Sequence, residues 1–306
     1  MTARSASWLE DEPLQQHTTW RVGGPARRFY RPASLLELQH FLAAPADDEP
    51  LLWLGLGSNV LVRDGGIAGT VIATAGGLNT LAQIASHTVT AGAGLSCAVL
   101  ARFCARLGLS GAEFLAAIPG TVGGALRMNA GAWGGEIWTL VHSVDTIDRQ
   151  GRLYHYTPAD FDIGYRHVEG PPDQWFVQAS LALSADDPAA IKERTHALLA
   201  KRRATQPVGQ ACAGSVFKNP PGGFAAQLID QAGLKGLRIG AAVVSHKHAN
   251  FIINEGGASA AQIEALIHAV QHRVAQIHGI SLAPEIQILG TPSTDDTLIK
   301  RINDER

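Results

Sequence analysis

One short segment of the sequence places a hydroxyl, a cation and an amide close together. Ser215, Lys218 and Asn219 lie in the segment 214–220, GSVFKNP. A hydroxyl beside a cation is suited to protonate a substrate whose anionic group the cation binds. The alternative is a strand edge and turn with a solvated lysine, and the spacing alone favours neither interpretation. Ser215 is not a hydrolase-type nucleophile, because no GxSxG sequence surrounds it.

Arg166 and Glu285 are a second pair of candidates. Glu285 follows a proline and opens an apolar segment, where a carboxylate costs free energy unless it has a partner or a chemical task. The guanidinium of Arg166, which follows Tyr165, can hold a carboxylate through two parallel hydrogen bonds. A structural Arg–Glu pair is the alternative, and the sequence does not decide between the two.

Two glycine-rich segments are candidates for binding phosphate groups. The first, 55–59 (GLGSN), lacks the third glycine of a dinucleotide fingerprint and precedes a strand-like run rather than a helix. Its amides can still bind phosphate oxygens, although on this motif alone an ordinary hairpin is the better interpretation. The second, 119–135, has too many glycines for a simple turn, and we expect a long irregular segment with a function. Together they predict a large ligand, such as a pyrophosphate-bearing cofactor, held between domains.

The histidines and cysteines do not predict a metal site. His268 and His272 have i, i+4 spacing on a helix, but no cysteine or carboxylate cluster accompanies them, and we interpret them as a surface pair. Cys97, Cys104 and Cys212 form no CxxC pair, which argues against a disulfide framework or a zinc site. We expect three reduced, partly buried thiols.

Short strands and amphipathic helices must position these side chains. Ser34 and Glu37 have the spacing of a capping box at a helix start. Helical spacing over 99–107 puts Cys104 on the buried face and ends at Gly108. The predicted strands cover 51–54, 60–62, 70–73, 141–147, 153–156 and 176–183.

The C-terminal part of the sequence contains two longer predicted helices. The first begins with Asp187 as N-cap before a proline and extends to 203. The second begins at Ser259, where Gln262 completes a capping box, and its apolar stripe extends to Ile277. A strand over 284–289 follows.

Size and composition limit the classes of function. A chain of 306 residues is long enough for two or three domains. A hydrophobic content of 46% and a charged content of 17% favour a folded protein. The net charge of −2 gives no reason to expect nucleic acid or an acidic membrane as a partner. The sequence shows neither a signal-peptide core nor an apolar run long enough to span a bilayer, and we expect a cytoplasmic protein.

In order and spacing, these segments resemble those of the UDP-N-acetylenolpyruvoylglucosamine reductase family, over nearly the whole chain. The similar segments are 17–24 (HTTWRVGG), 55–59, 119–135, 165–166, 214–220, 234–236 (LKG), 248–251 (HANF) and 284–285. The short chain and the tight link between Arg166 and the later strands are similar to the family's second type, which lacks a substrate-covering insertion. His17 and His167 depart from the family's common Asn and Ser, which affects local contacts only.

The resemblance implies an α+β fold. It combines a two-part FAD-binding domain of the vanillyl-alcohol-oxidase (PCMH) type with a C-terminal α+β substrate domain. We expect FAD-binding subdomain 1 over 1–79, completed by the C-terminal strand 284–306, and subdomain 2 over 80–187. A linker helix over 188–207 and a substrate-binding domain over 208–283 complete the chain.

The resemblance also implies a flavoenzyme of peptidoglycan precursor synthesis that reduces UDP-N-acetylglucosamine enolpyruvate to UDP-N-acetylmuramate. NADPH reduces non-covalently bound FAD, which passes hydride from N5 to C3 of the enolpyruvyl group. Ser215 protonates C2, and Arg166 and Glu285 stabilise the developing enolate. Because a carboxylate would oppose that charge, we expect Glu285 to be protonated or to form a hydrogen bond with the enol form, and a raised pKa would support this. We expect a monomer whose partner is the UDP-sugar.

Further roles are implied for two sets of residues. Those expected to bind FAD are Gly55, Gly57, Ser58, Asn59, Pro119, Gly120, Thr121, Gly123, Gly124, Asn129 and Gly131. Those expected to bind the UDP-sugar are Tyr165, Lys218, Asn219, Lys235 and His248.

Two other functions are consistent with parts of the sequence. One is an oxidase of the same flavoprotein superfamily with FAD attached covalently to a histidine, although 55–59 contains no histidine. Release of free flavin on acid precipitation would separate the two. The other is a non-catalytic module that binds UDP-sugars or flavin. The joint presence of Arg166, Ser215 and Glu285 argues against it, and turnover would exclude it.

Overall fold

The chain folds into two compact units, each made of separated segments. The computed structural model describes residues 8–44 and 49–293. Unit 1 consists of Met1–Leu9, Arg28–Leu56 and Thr70–Arg202. Unit 2 consists of Glu10–Arg27, Gly57–Gly69 and Arg203–Arg306. The four-part division expected from the sequence stays a prediction, and its outermost residues, 1–7 and 294–306, lie outside the described residues.

Both units contain helices and strands. The helices are α1 (Leu35–Ala43), α2 (Cys97–Arg106), α3 (Val122–Arg127), α4 (Pro188–Thr205), α5 (Ala225–Gln231) and α6 (Ala260–His278). The strands are β1 (Leu9–Pro13), β2 (Pro25–Tyr30), β3 (Leu51–Leu54), β4 (Val60–Val62), β5 (Ile67–Ala73), β6 (Leu81–Ala85), β7 (Thr88–Gly92), β8 (Leu109–Ser110), β9 (Gly131–Ala132), β10 (Gly135–Glu136), β11 (Val141–Asp148), β12 (Leu153–Tyr156), β13 (Asp162–Gly164), β14 (His167–Glu169), β15 (Gln174–Ala182), β16 (Ser184–Ala185), β17 (Arg238–Ile239), β18 (Ala242–Val244), β19 (Ile252–Asn254) and β20 (Gln287–Leu289). Short 3-10 helices cover Leu14–Gln16, Glu113–Ala117, Ile137–Thr139 and Pro158–Asp160.

Unit 1 is built around an antiparallel five-stranded sheet in the order β12-β11-β15-β7-β6. Alternate residues of β15, namely Val177, Ala179 and Leu181, are buried, as expected for a strand with one face on a core. The apolar faces of α2 and α3 pack into the core formed by Ala179 and Leu181. Strand β3 pairs in parallel with residues 70–73 of β5.

The predicted helix start in unit 1 is confirmed. The Ser34 hydroxyl accepts a hydrogen bond from the backbone amide of Glu37 at 3.1 Å, which caps α1. The Glu37 carboxylate in turn accepts from the Ala33 amide at 3.1 Å. Leu38 and Leu42 of this helix pack against Tyr30 in a second buried cluster.

Unit 2 contains the three-stranded antiparallel sheet β17-β18-β19, the parallel pair β4–β20 and helices α5 and α6. The capping box of α6 is confirmed, since the Ser259 hydroxyl accepts from the Gln262 amide at 3.1 Å. The helix ends at Gly279, which has the left-handed φ of 67°. Ile277 was predicted on the buried stripe but is 53% exposed, because the last turn of α6 is open to solvent.

No helix in the described part of the chain combines the length and the apolarity that crossing a bilayer requires.

Candidate active site

Arg166 lies at the turn between β13 and β14 of unit 1, and its guanidinium is fixed by the backbone. Its Nη1 donates to the carbonyl oxygen of Asn129 at 3.1 Å, and its Nη2 donates to that of Gly131 at 2.6 Å. The side chain is 16% exposed. Arg166 also has a φ of 52°, a conformation that L-residues adopt only when the surroundings enforce it. The cation is therefore held in one place.

Asn129 connects Arg166 to the glycine-rich segment. Its Nδ2 donates to Glu136 Oε2 at 2.9 Å and to the carbonyl of Gly164 at 3.0 Å, and the residue is buried. Glu136 Oε1 lies 4.0 Å from Arg166 Nη1. The Tyr165 ring, 47% exposed, lies with its centroid 5.1 Å from the guanidinium carbon of Arg166. These contacts bring Tyr165, Arg166, Asn129 and Gly131 together.

The expectation of an irregular segment over 119–135 is wrong. Helix α3 begins after Thr121, whose hydroxyl accepts from the Gly124 amide at 3.3 Å. Strands β9 and β10 form a short antiparallel ladder. A Cβ on Gly123 would lie 2.9 Å from Ala93 Cβ, and one on Gly135 would lie 2.5 Å from the Phe114 ring. Close packing therefore requires glycine here and overrides its low helix propensity.

The amides of Gly120, Gly123 and Gly124 in this segment already have acceptors inside unit 1. The Gly120 amide donates to the Ile118 carbonyl at 2.9 Å, and the Gly123 amide donates to the Ala93 carbonyl at 2.9 Å. Pro119 has no amide hydrogen. The roles of these residues, and of Thr121 and Gly124, in binding FAD stay predictions, and their observed contacts serve the packing of α3.

The turn at 57–59 of unit 2 differs in this respect. Gly57 has a φ of 61°, and a Cβ there would lie 2.1 Å from the carbonyl oxygen of His17. Its own carbonyl accepts from the Thr19 amide at 3.1 Å. Over residues 8–44 and 49–293, the amides of Gly57 and Ser58 donate to no protein acceptor. Two such amides in a tight turn suit the oxygens of a pyrophosphate.

Gly55 makes a different close contact, within unit 1. A Cβ there would lie 2.5 Å from the hydroxyl oxygen of Thr121.

Ser215 and Glu285 lie in neighbouring chain segments of unit 2. The Glu285 amide donates to the Val216 carbonyl at 2.8 Å, and Phe217 forms a β-bridge with Pro284. Ser215 and Glu285 are both half-buried. Within the described residues, the Ser215 hydroxyl makes no hydrogen bond to another protein group, so it is available to a substrate.

Asn59 is connected to this pair. Its Nδ2 donates to the Glu285 carbonyl at 3.2 Å, and its own carbonyl accepts from the Gln287 amide at 2.9 Å. The turn predicted to bind FAD is therefore joined directly to the segment of Glu285.

Asn250 is a site residue that the sequence analysis did not identify. Its Oδ1 accepts from the Phe217 amide at 2.9 Å, and its Nδ2 donates to the Phe217 carbonyl at 2.8 Å. Its own carbonyl accepts from the Val216 amide at 2.9 Å. The sequence contains one signal, the position of Asn250 inside the segment 248–251, but nothing in that segment reveals its partner.

Lys235 and His248 line one pocket of about 450 Å³ in unit 2, together with Gln227, Asp230 and Lys247. Lys235 Nζ lies 2.6 Å from Asp230 Oδ2. Burial, and then the positive charge of Lys235, lower the pKa of His248 below its usual range. The pocket thus combines cations with a neutral imidazole, which suits an anionic ligand with polar groups.

Asn219 borders the same pocket through a helix. Its Oδ1 accepts from the Ala225 amide at 3.1 Å, at the start of α5. Residues of α5 form one wall of the pocket. The Lys218 amide donates to the Ala283 carbonyl at 2.9 Å, next to Glu285.

The cysteines and the histidine pair take no part in these clusters. Cys97 and Cys104 are buried in the core of unit 1, and burial raises the pKa of each thiol to about 12. Cys212 is half-buried, and in the described part of the chain none of the three cysteines forms a disulfide. His268 is half-buried and His272 is exposed. Among the described residues, no group of three metal-ligating side chains is close enough to hold a metal ion.

Two families of known proteins match the two parts of the chain. Residues 26–157 match the family described as FAD binding domain. Residues 206–289 match the family described as UDP-N-acetylenolpyruvoylglucosamine reductase, C-terminal domain. The predicted fold class, an FAD-binding domain of the PCMH type with a C-terminal α+β domain, is confirmed.

Similar proteins cover almost the whole chain. The UDP-N-acetylenolpyruvoylglucosamine reductase of Alkalilimnicola ehrlichii is 57% identical over 91% of this chain and 93% of its own length. That of Methylococcus capsulatus is 57% identical over 93% of each chain. The crystal structure of the reductase from Thermus caldophilus is 35% identical, with a TM-score of 0.81, and covers 93% of this chain and 100% of its own.

Proposed function

The chain belongs to the UDP-N-acetylenolpyruvoylglucosamine reductase family, and on that premise we propose how its residues serve the reaction. The chain is an FAD-dependent oxidoreductase, a UDP-N-acetylmuramate dehydrogenase of peptidoglycan synthesis. It reduces UDP-N-acetylglucosamine enolpyruvate to UDP-N-acetylmuramate with electrons from NADPH. Bound FAD supplies the hydride that reaches C3 of the enolpyruvyl group.

The observation that most supports the division of roles is the hydrogen bond of 2.8 Å between the Glu285 amide and the Val216 carbonyl. It holds a carboxyl-bearing residue in the chain segment beside the hydroxyl of Ser215. Ser215 Oγ donates the proton to C2, a step for which a positioned general acid contributes about 10²–10⁴ in rate. The carboxyl group of Glu285, either protonated or hydrogen-bonded to the enol form, stabilises the developing negative charge.

Arg166 stabilises the same developing charge electrostatically. Its guanidinium is held by the carbonyls of Asn129 and Gly131 before substrate binds, so no reorganisation is needed during the reaction. A guanidinium group that donates to neutral carbonyl oxygens keeps its net positive charge, so this charge still acts on the substrate.

The cofactor and the UDP-sugar have separate candidate sites. The amides of Gly57 and Ser58 would hold the pyrophosphate of non-covalently bound FAD, and Asn59 orders the turn that contains them. The remaining predicted FAD-binding residues are Gly55, Pro119, Gly120, Thr121, Gly123, Gly124, Asn129 and Gly131. Lys235 and His248, with Tyr165, Lys218 and Asn219, bind the UDP-sugar.

The proposal also covers the enzyme's type, its oligomeric state, its location in the cell and its domain division. The enzyme is of the second type, which the two-residue turn at Tyr165 and Arg166 supports, since Gly164 and His167 pair directly across it. It is a monomer, and it acts in the cytoplasm, where its UDP-sugar substrate is made. The chain divides into FAD-binding subdomain 1 over 1–79, completed by the C-terminal strand 284–306, and subdomain 2 over 80–187. A linker helix over 188–207 and a substrate domain over 208–283 complete the division.

The test uses the visible spectrum of the purified protein without oxygen. We expect flavin absorbance that bleaches on addition of NADPH and returns on addition of the enolpyruvyl UDP-sugar. Bleaching without return would mean that the protein is a flavoenzyme but that this UDP-sugar is not its substrate. A colourless protein that FAD does not reconstitute would overturn the proposal, and flavin that stays with the acid-precipitated protein would indicate covalent attachment.

A further inference from the structure

The segment that contains Ser215 is hydrogen-bonded on both edges. On one edge, the Val216 carbonyl accepts from Glu285 and the Lys218 amide donates to Ala283. On the other edge the partner is Asn250, whose backbone carbonyl accepts from the Val216 amide at 2.9 Å. The amide group of Asn250 accepts from the Phe217 amide at 2.9 Å and donates to the Phe217 carbonyl at 2.8 Å.

The Asn250 amide is well placed to define this geometry. The residue is 4% exposed, so water does not compete for its two hydrogen bonds. Both of its polar atoms are used, which fixes the orientation of the amide plane. The backbone on either side of Phe217 is therefore determined, and Ser215 lies two residues before it.

Asn250 also belongs to the turn that contributes to the substrate pocket. The backbone amide of Asn250 donates to His248 Nδ1 at 3.3 Å, and the backbone amide of Phe251 donates to the His248 carbonyl at 3.0 Å. The Ser245 hydroxyl accepts from the amides of Lys247 and His248 at 3.1 and 3.3 Å. One compact turn, residues 245–251, thus contains both the pocket residue His248 and the group that braces the Ser215 segment.

We propose that Asn250 is a positioning residue for proton transfer, which fixes Ser215 relative to a ligand bound at His248. This inference rests on the proposed function, in which Ser215 is the proton donor. A hydroxyl that must be free to donate is not fixed by its own hydrogen bond, so its position depends on the neighbouring backbone. An error of about 1 Å in that position is enough to slow a reaction roughly 100-fold.

The test is the substitution Asn250→Asp, which keeps the shape of the side chain and removes the N–H that donates to the Phe217 carbonyl. We expect reoxidation of the reduced enzyme by saturating UDP-sugar to slow at least about tenfold. Reduction by NADPH and the Kd for UDP should change by less than about twofold, because neither depends on Ser215. The solvent deuterium isotope effect on reoxidation should increase, because proton transfer then limits the step.

Asn254→Asp is the matched control. Asn254 is also a buried asparagine of unit 2, and its Nδ2 donates to the Trp20 carbonyl at 2.9 Å, away from the Ser215 segment. It should lower the melting temperature without slowing reoxidation selectively. If Asn250→Asp does not fold, Asn250→Ser is measured in its place by the same criteria.

Reoxidation at the wild-type rate in a folded Asn250 variant would overturn the inference, and so would an equal slowing in Asn254→Asp. Failure of the proposed function gives a different result, because wild-type enzyme would then not be reoxidised by the UDP-sugar. Failure of the assigned proton donor is also distinct, since Ser215→Ala would then be reoxidised at the normal rate.

Discussion

Arg166 in unit 1 and Ser215 in unit 2 are held in opposite ways. Arg166 is fixed by its own side chain, which donates to the carbonyls of Asn129 and Gly131. Ser215 is fixed through its neighbours, Val216 and Phe217, whose backbone groups are bonded on both edges. A residue that serves as a permanent charge can use its hydrogen bonds for anchoring. A residue that gives away a proton must keep its hydroxyl available.

The sharpest test of this comparison is Ser215→Ala, which removes the proton donor and leaves the backbone bonds in place. We expect reoxidation of reduced enzyme by the UDP-sugar to slow by about 10²–10⁴, or roughly 3–5 kcal/mol of transition-state stabilisation. Reduction by NADPH should continue at the normal rate. Anaerobic stopped-flow absorbance separates the two steps, and a parallel loss of both would remove Ser215 from its assigned role.

A second test addresses the anchoring of Arg166. The substitution Arg166→Lys keeps the charge but cannot reach both carbonyls with a planar fork, so we expect kcat/KM to fall about 10- to 100-fold. Arg127→Lys is the matched control, because Arg127 Nη1 also donates to a carbonyl of unit 1, that of Val168, at 2.9 Å. Full activity in Arg166→Lys would mean that charge alone suffices and that the anchoring is incidental.

A third test extends the comparison to the Gly57 turn, whose backbone conformation requires a glycine. Gly57→Ala should destabilise the protein by about 3 kcal/mol or more, because its φ is positive and a Cβ would overlap the His17 carbonyl. It should also lower the amount of flavin bound per protein. Gly209→Ala provides the control, since its φ is 86° and no atom lies within 4 Å of the added Cβ. There we expect a cost of about 1 kcal/mol. Thermal melts and the flavin-to-protein absorbance ratio give both quantities.

The sequence predicted local structure well where a few neighbouring residues decide it. Strands β3, β4 and β12 match their predicted ranges, because short apolar runs between turns leave few alternatives. The helix starts at Ser34 and Ser259 depend on a hydroxyl that accepts from the backbone amide three residues later, and the sequence displays this spacing directly.

The sequence did not predict features that depend on contacts between residues far apart in the chain. Helix α3 contains glycines that a propensity argument rejects, and the reason is the approach of Ala93 to Gly123. Asn250 was missed because its partner, Phe217, is 33 residues away. A pair of hydrogen bonds across that distance leaves no mark in either local sequence.

The smallest expected effect concerns His248, which lies in the same turn as Asn250. Its folded-state pKa is depressed below 6.5 by burial and by Lys235, so its contribution to stability is complete above that pH and is lost as pH falls through the folded value. In Lys235→Met, the pKa of His248 should rise, as followed by NMR titration. Lys247→Met, another cation of the same pocket, should shift it less. An unchanged pKa in Lys235→Met would leave burial as the whole cause.

The pairing of β4 with β20 has a consequence for how the chain is made. Asn59 and Glu285 are hydrogen-bonded across 226 positions of sequence, so the turn at Gly57 leaves the ribosome long before its partner strand exists. Closing so large a loop is slow compared with forming local contacts. The β4–β20 pair therefore forms only after residues 287–289 have been synthesised, and a nascent chain that stops before residue 285 would lack Glu285 and any means of assembling the proton-transfer site. Ribosomes stalled at successive lengths would reveal this as a late, single gain of protease resistance.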